Sequence, residues 1–404
     1  MSVRNNNASV PEGWRRARLR DVVSFRNGAA YDDVEVDEPG YPVYGSGGQF
    51  RWADSWLYDG ASVLFGRKGT VDRPLYVEGR FWTVDTMYFT VPRADLICPR
   101  FLYYWATRVP FDYYSTGSAL PSMTQSDLGQ EPLMLPPLTT QRQIADYLDH
   151  ETAEIDAFIA DLDTSRRLSS ERLLSLLWEL TNPHDGVDGV EQPLGTLASF
   201  TAGGTPDSNK VDYWSNNDTG VPWVAISDMS RREVVHSTAK RVTSRGMAAA
   251  GLRLLKPGTV LLAMYASVGE VAKLEVPAVT NQAILGIAPT RDLNADFLFA
   301  HLRSRQSALL SEARSNTQAN LNANQVRHLK LWCPSREVQD LIVSRIDAQL
   351  AKHRAQVADI DAAITLAKER RAALITAAVT GQIDVTTTQK PAVDGIQTAI
   401  EESR

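Results

Sequence analysis

Residues 135–144 read LPPLTTQRQI and residues 333–342 read CPSREVQDLI, and these two stretches decide how the chain is organised. Three residues recur between them at a register of 198 residues: Pro136 with Pro334, Gln141 with Gln339, and Ile144 with Ile342. The similarity extends over about residues 95–180 and 292–378. A repeat of such long period predicts two copies of one structural unit in a single chain.

A long helix is predicted after each of the two prolines. Apolar residues follow at alternating steps of three and four, which is typical of a coiled-coil seam. These helix-seam and subunit-docking positions are Ile144, Leu148, Ile155 and Leu162 in the first helix and Ile342, Ile346, Val357, Ile360, Ile364 and Leu374 in the second. Polar residues interrupt both seams, among them Ser169 and His353.

A helix of about 40 residues makes a rod of roughly 60 Å. Because neither rod can bury its apolar stripe alone, we expect the two to pack on each other. If they pack antiparallel, the two globular units lie at opposite ends of a shared rod, related by an approximate twofold axis.

The rest of the chain is mixed in its predicted structure. Short β-type runs such as 62–65 and 259–263 alternate with glycine-rich turns, and helices are expected at Arg100–Thr107 and roughly Asp296–Ser311. The predicted parts are a first globular unit at 14–137, a first long helix at 138–182, a second globular unit at 183–333, a second long helix at 334–385 and a flexible tail at 386–404. The predicted class is α+β.

Composition narrows the class of protein. The 404 residues are 43% hydrophobic and 22% charged, as in an ordinary globular chain, and contain no run near the ~20 apolar residues of a membrane span. With only Cys98 and Cys333, a disulfide framework is not expected. We therefore expect a cytoplasmic protein.

The net charge of −6 is unevenly distributed. Residues 141–180 alone carry 4 basic and 9 acidic residues, so most of the acidic excess lies on the first long helix. The remainder is nearly neutral and can hold local basic patches. A lone DNA-binding domain is usually more basic, which indicates that a partner shares the neutralisation of phosphates.

No arrangement of residues for catalysis is evident. No phosphate-binding loop occurs, and the six histidines show no metal-ligand spacing to either cysteine. Residues 182–185, Asn-Pro-His-Asp, resemble an amino-methyltransferase loop, but no glycine-rich cofactor loop accompanies them and a turn is favoured. We accordingly predict no catalytic, cofactor-binding or metal-binding residues on this chain.

Several segments resemble the specificity subunits of type I restriction–modification systems. The resemblance lies in residues 135–144 and, more diagnostically, in residues 370–384, RRAALITAAVTGQID. Residues 203–206 (GGTP), 266–269 (ASVG), 44–48 (YGSGG) and 65–70 (FGRKGT) are similar to the target-recognition domains of that family. One departure is the end of the first helix, residues 176–181, which lacks the Val-Thr-Gly ending of the second.

The resemblance implies a non-catalytic DNA-recognition subunit. It implies two pseudo-repeated target-recognition domains, each reading half of a split double-stranded DNA site, separated by two long antiparallel coiled-coil helices. The helices would space the domains and dock two copies of a modification subunit, which methylates adenine with S-adenosylmethionine. A restriction subunit that uses ATP and magnesium would complete a cleaving complex.

Reading DNA requires cationic side chains for phosphates and hydrogen-bonding side chains for base edges. The candidates in the first unit are Gln49, Arg67, Lys68 and Ser118. Those in the second unit are Thr205, Lys210, Tyr265, Ser267, Asn281, Gln282 and Gln318. For each of them a solvated turn or a purely structural hydrogen bond is the alternative interpretation.

Two functions of other classes stay open at this point. One is a solitary DNA-modifying enzyme with unusual motifs, which turnover of S-adenosylmethionine or DNA by the purified chain would reveal. The other is a coiled-coil assembly adaptor whose globular units bind proteins. Steep salt dependence of DNA affinity would exclude that adaptor, because phosphate contacts release counterions.

Overall fold

The computed structural model describes residues 10–37, 39–67, 71–111, 123–183, 186–215, 219–230, 232–265, 267–314 and 320–385. The predicted tail at 386–404 lies outside these residues. The chain forms two compact units. Unit 1 combines Met1–Leu162 with Ala362–Arg404, and unit 2 is the continuous stretch Asp163–Asp361.

The elements up to residue 181 build one globular region and the first long helix. They are β1 (Arg15–Arg18), α1 (Leu19–Val22), β2 (Val23–Asn27), β3 (Glu35–Val36), β4 (Tyr41–Gly45), β5 (Gly48–Ala53), β6 (Tyr58–Asp59), β7 (Ser62–Gly66), β8 (Leu75–Val77), β9 (Arg80–Thr83), β10 (Met87–Pro92), α2 (Pro99–Ala106), α3 (Gln125–Gln130), β11 (Pro132–Leu135) and α4 (Leu138–Thr181).

The elements after residue 188 follow a similar order. They are β12 (Gly189–Pro193), α5 (Leu194–Leu197), β13 (Ala198–Ala202), a 3-10 turn (Val211–Tyr213), β14 (Trp214–Ser215), β15 (Val221–Val224), α6 (Ile226–Met229), β16 (Val234–Val235), β17 (Lys240–Val242), α7 (Ser244–Ala249), β18 (Val260–Ala263), β19 (Val271–Leu274), β20 (Val279–Thr280), β21 (Ile284–Pro289), α8 (Ala295–Ser304), α9 (Gln306–Arg314), α10 (Ala323–His328), β22 (Lys330–Pro334) and α11 (Arg336–Val379).

The two globular regions share their strand pairing. The antiparallel order β2-β10-β7-β8 in the first region recurs as β13-β21-β18-β19 in the second, which adds β16 at the edge. The two-stranded ribbon β1-β11 recurs as β12-β22. A parallel pair also recurs, β4 with β9 in the first region and β15 with β20 in the second, and the added β16 pairs parallel with β19. This shared topology confirms the predicted α+β pseudo-repeat.

Short helices begin at equivalent caps. In α3 the Thr124 hydroxyl accepts from the backbone N–H of Asp127 (3.1 Å), and in α10 the Asn322 side chain accepts from that of Gln325 (2.9 Å). Both are capping boxes, which satisfy N–H groups that have no partner within the helix. The two caps are 198 residues apart, the same register as the prolines.

The predicted second-region helix at Asp296–Ser311 is two helices. Helix α8 ends at Ser304 and α9 begins at Gln306, with Arg305 at the cap position between them. The guanidinium of Arg305 donates to the carbonyl oxygen of Lys330 (3.0 Å), which ties this junction to β22.

Both long helices have 44 residues, and they pair antiparallel within each unit. In unit 1 the guanidinium of Arg371 donates to the carboxylate of Asp156 (2.9 Å). In unit 2 the guanidinium of Arg166 donates to that of Asp361 (3.0 Å). Further along α4 in unit 2, the Ser169 hydroxyl donates to the side-chain oxygen of Gln356 (3.0 Å), an earlier residue of α11 than Asp361. In unit 1 the start of α4, at Ile144 and Leu148, shares a core with the end of α11, at Ile375 and Ala378. The predicted antiparallel helix pair is therefore confirmed in each unit.

The predicted seam positions are largely buried. Side-chain exposure is 8% or less at Ile144, Leu148, Ile155, Ile342, Ile346, Ile360 and Ile364, and Leu162, Val357 and Leu374 are half-buried. Ile144 and Leu148 belong to the core of the first globular region, in one cluster with Phe101 and Ile375. The start of the first helix and the end of the second thus complete that core.

A buried glutamine fixes the start of each long helix. The Oε1 atom of Gln141 accepts from the backbone N–H of Cys98 (2.8 Å), and its Nε2 donates to the carbonyl oxygens of Leu96 (2.9 Å) and Pro136 (2.8 Å). Gln339 repeats this pattern with the backbone N–H of Asn294 (2.8 Å) and the carbonyl oxygens of Asp292 (2.8 Å) and Pro334 (2.9 Å).

The end of the first long helix meets a buried histidine in unit 2. His301 is 2% exposed, and its Nδ1 lies 3.3 Å from the carbonyl oxygen of Thr181. Burial lowers the pKa of the His301 imidazole to about 4, and the neighbouring Arg305 charge adds to this effect. The imidazole is therefore neutral in the folded protein at neutral pH.

The free energy of unfolding of unit 2 should consequently decrease as pH is lowered. An unfolded histidine binds a proton near pH 6.5, so the contribution of His301 is complete above that pH and is lost as pH falls toward 4. Between pH 7.5 and 4.5 the stability advantage of wild type over His301→Gln should shrink by about 2–3 kcal/mol. Urea titrations of both proteins at the two pH values would measure it. An advantage that does not change with pH would contradict the prediction.

Candidate nucleic-acid interface

Three loops of the second globular region meet at the ends of its sheets. The backbone N–H of Gly204 donates to the carbonyl oxygen of Thr280 (2.9 Å), and that of Met264 donates to the carbonyl oxygen of Ala283 (2.8 Å). Residues 203–206, 264–265, 267–269 and 280–284 therefore form one edge, which we call the second loop cluster. Five predicted contact residues lie on it: Thr205, Tyr265, Ser267, Asn281 and Gln282.

A glycine allows this close approach. A Cβ atom at Gly203 would lie 1.9 Å from the carbonyl oxygen of Asn281 and 2.5 Å from that of Thr280. The first region has the same arrangement, because a Cβ at Gly28 would lie 2.0 Å from the carbonyl oxygen of Val84. Only a residue without a side chain fits where two backbones approach so closely.

Two of the predicted contact residues are hydrogen-bonded to each other on this edge. The Thr205 hydroxyl donates to the side-chain oxygen of Gln282, and both residues are exposed. Asn281 is half-buried, and its Oδ1 accepts from the backbone N–H of Ala283 (3.0 Å). That bond holds the Asn281 side chain within its own turn, whereas the Gln282 side chain is exposed.

The loop after β18 presents two further candidates. Tyr265 is 38% exposed. Ser267 is exposed and has φ of 55°, in the left-handed region, where its carbonyl oxygen accepts from the N–H of Glu270 (3.0 Å). A non-glycine residue held there costs about 1–2 kcal/mol, so the surrounding turn imposes this conformation.

Lys210 lies further along, on a loop that two tryptophans anchor. Its ammonium is 5.1 Å from the centroid of the Tyr213 ring. The indole N–H of Trp214 donates to the carbonyl oxygen of Asp207 (3.2 Å), and that of Trp223 to the carbonyl oxygen of Gly204 (3.0 Å). The two indoles also pack edge to face at 5.1 Å. Sequence reasoning missed these anchors, although the two tryptophans lie close to the GGTP motif.

The first region presents its candidates around residues 83–87. Arg67 is exposed, and its backbone N–H donates to the carbonyl oxygen of Thr86 (2.8 Å). Gln49 is exposed opposite Tyr44 in the β4–β5 hairpin, and the Tyr44 carbonyl accepts from the N–H of Val84 (3.1 Å). Both candidates thus border the same turn. Lys68, Ser118 and Gln318 lie outside the described residues.

Exposed aromatic residues on β5 and just after it were not predicted. Phe50 is 47% exposed and packs edge-on to Tyr31 at 5.4 Å. Trp56 is 40% exposed, and the Arg80 guanidinium lies 4.3 Å from the centroid of its ring. The signal in the sequence was the run 50–56, FRWADSW, which has aromatic residues on a strand too polar to be wholly buried.

The described residues contain no group of three or more His, Cys, Asp or Glu side chains that could hold a metal ion. Nor do they include a helix with the length and apolar content needed to cross a membrane.

Known proteins give this architecture a context. The type I restriction enzyme EcoR124I/EcoR124II specificity subunit of Escherichia coli is 23% identical over 263 residues, which are 61% of this chain and 62% of that protein. The MjaIX specificity subunit of Methanocaldococcus jannaschii is 25% identical over 152 residues, 37% of this chain and 34% of that protein. The matched stretches therefore cover less than two thirds of either relative.

A solved structure supports the fold. One chain, from work on complex assembly and conformational transition of the type I R-M system, has a TM-score of 0.70 and 16% identity to this chain. The match covers 93% of this chain and 100% of that one. At this identity the likeness shows the fold alone.

The family match is broader. The type I restriction modification DNA specificity domain matches twice, at residues 11–160 and 188–358, once over each globular region. Specificity subunits recognise DNA without catalysing a reaction and carry no cofactor of their own. The predicted resemblance is confirmed, and the chain belongs to the type I restriction–modification specificity family.

Proposed function

We propose that this chain reads an asymmetric bipartite site on double-stranded DNA. Each globular region, at residues 14–137 and 183–333, would read one half, and the bases between the halves would stay unread. The observation that carries the proposal is one topology built twice with different loop chemistry. Where the first region has Arg67 after its central strand, the second has Met264.

The proposed contacts follow from the loop geometry. In the second region, Gln282 and Thr205 would address base edges, whereas Lys210, Tyr265, Ser267 and Asn281 would border the groove. In the first region, Arg67 would pair with a phosphate or a guanine edge, and Gln49 would lie beside it. Lys68, Ser118 and Gln318 stay predictions on the adjoining loops.

The long helices would serve as spacers and docking surfaces. A 44-residue helix is about 66 Å long, which exceeds the ~34 Å of one duplex turn. Because the helix occurs twice, we propose that it docks two copies of a modification subunit that carries S-adenosylmethionine. A restriction subunit with ATP and magnesium would join the same complex in the cytoplasm.

Footprinting of the complex between this chain and its modification subunit tests the proposal. We expect two protected patches on DNA, separated by bases that stay reactive. The complex should also lose affinity steeply as salt rises, because several phosphates are neutralised. One short continuous protected site, or DNA binding that does not respond to salt, would overturn the proposal.

A further inference from the structure

The two long helices form a pair of grooves at equivalent positions of the repeat. The first groove, of about 350 Å³, lies in unit 1 between residues 151–158 of α4 and 363–370 of α11. The second groove, of about 530 Å³, lies in unit 2 between residues 169–179 of α4 and 349–356 of α11. Six residues that line the second groove are the counterparts, at a register of 198, of six that line the first.

The chemistry of the two grooves differs at these equivalent positions. The second groove has polar residues where the first has apolar ones. They are His353 at the position of Ile155, Gln356 at that of Phe158 and Ser169 at that of Ala367. An apolar floor in unit 1 thus corresponds to a polar floor in unit 2.

The polar floor already satisfies its own hydrogen bonds. The Ser169 hydroxyl lies 3.0 Å from Nδ1 of His353 and donates to the side-chain oxygen of Gln356 (3.0 Å). In the first groove, by contrast, Phe158 is 52% exposed and Leu366 is 66% exposed. A partner that covers these exposed apolar side chains binds favourably, because apolar surface is removed from water.

The charges at the grooves also differ in sign. Glu151 and Glu154 line the first groove together with a single basic residue, Arg370. At the positions of the two glutamates the second groove has Gln349 and Lys352, and it also includes Arg172 and Glu179. A partner segment that complements one groove therefore does not complement the other.

We infer that the grooves are unequal docking sites for the modification subunit, and that the first groove binds it more tightly. The first groove would receive a large apolar side chain of that subunit, flanked by lysine or arginine residues that face Glu151 and Glu154. The apolar residues that line the second groove are Leu173, which is 5% exposed, and Leu176, which is half-buried. Neither is exposed as Phe158 is, so the second copy docks more weakly. This inference rests on the proposed function of the long helices.

A reciprocal exchange of natural residues tests the inference. Phe158→Gln gives the first groove the residue of the second, and Gln356→Phe does the reverse. The full chain is titrated with modification subunit, without DNA, and the populations with none, one and two copies are measured by native mass spectrometry. In wild type the two dissociation constants should differ by about tenfold or more beyond the purely statistical ratio.

The variants should act on different steps. Phe158→Gln should weaken the tighter step about tenfold, as truncation of a central aromatic anchor does. Gln356→Phe should strengthen the weaker step. Leu254→Gln is the matched control, because Leu254 is 53% exposed and lies outside both long helices. The two dissociation constants of Leu254→Gln should equal those of wild type.

Three results would overturn the inference. The first is a pair of wild-type dissociation constants in the purely statistical ratio. The second is a Phe158→Gln effect no larger than that of Leu254→Gln. The third is an effect of Phe158→Gln on self-association of this chain alone. Failure of the proposed function is distinct, because then no modification subunit would dock on wild type. Phe158 and Gln356 are both exposed, so we expect both variants to fold. A thermal melt of each variant checks this.

Discussion

Gln141→Ala is expected to lower the free energy of unfolding of unit 1 by about 3–5 kcal/mol, since each buried group left without a hydrogen bond costs about 1–3 kcal/mol. The side chain is fully buried. Its loss would leave the N–H of Cys98 and the carbonyl oxygens of Leu96 and Pro136 without their partner. A water molecule that enters the vacated space, which these three polar groups line, would bring the loss toward the lower end of this range.

A matched control lies two residues away. Gln143 is exposed on the same helix, so Gln143→Ala should change stability by less than about 0.5 kcal/mol. Urea titration followed by tryptophan fluorescence would compare the two variants. Gln339→Ala should repeat the large loss in unit 2, where the same three kinds of bond occur. Equal stability of Gln141→Ala and Gln143→Ala would contradict this account.

Gly203→Ala should abolish recognition of the half-site that the second globular region binds. The added methyl group would lie 1.9 Å from the carbonyl oxygen of Asn281, so the 280–284 segment must move away from the GGTP loop. That movement separates Thr205 from Gln282. Because each base pair misread costs about 1–3 kcal/mol, affinity for the intact site should fall roughly 100-fold.

Footprints resolved by half-site would measure the effect. Gly203→Ala should lose the patch of the second region, and Gly28→Ala, which meets the carbonyl oxygen of Val84 at 2.0 Å, should lose the other patch. Gly129→Ala is the control for the patch of the first region, because a Cβ there meets nothing nearer than the Cβ of Arg20 at 3.4 Å. If Gly203→Ala left both patches protected, the glycine would have no role in positioning the loop cluster.

The scaffold was predictable because its signals are periodic and local. Pro136, Gln141 and their counterparts recur at a fixed spacing, since each helix start must satisfy the same buried backbone groups. Apolar residues at three- and four-residue steps likewise follow from helix geometry. The break at Arg305 escaped prediction, because it depends on a bond to the Lys330 carbonyl, 25 residues later in the chain.

The candidate interface was predictable only in its residue types. Thr205 and Gln282 are 77 residues apart in sequence, and no local pattern shows that their loops meet. The glycine motif did mark a close backbone approach, but not which backbone approaches. Arg80 and Trp56 were missed because a cation over an exposed ring depends on strand pairing rather than on spacing along the chain.

The division of the chain has a consequence for its synthesis. Unit 2 is one continuous segment, whereas unit 1 needs residues made before and after it. At about 5–20 residues per second, a ribosome needs roughly 10–40 s to make the intervening stretch. During that time Ile144 and Leu148 lack Ile375 and Ala378, with which they share a core. The nascent first half therefore exposes apolar surface to chaperones until the last helix emerges.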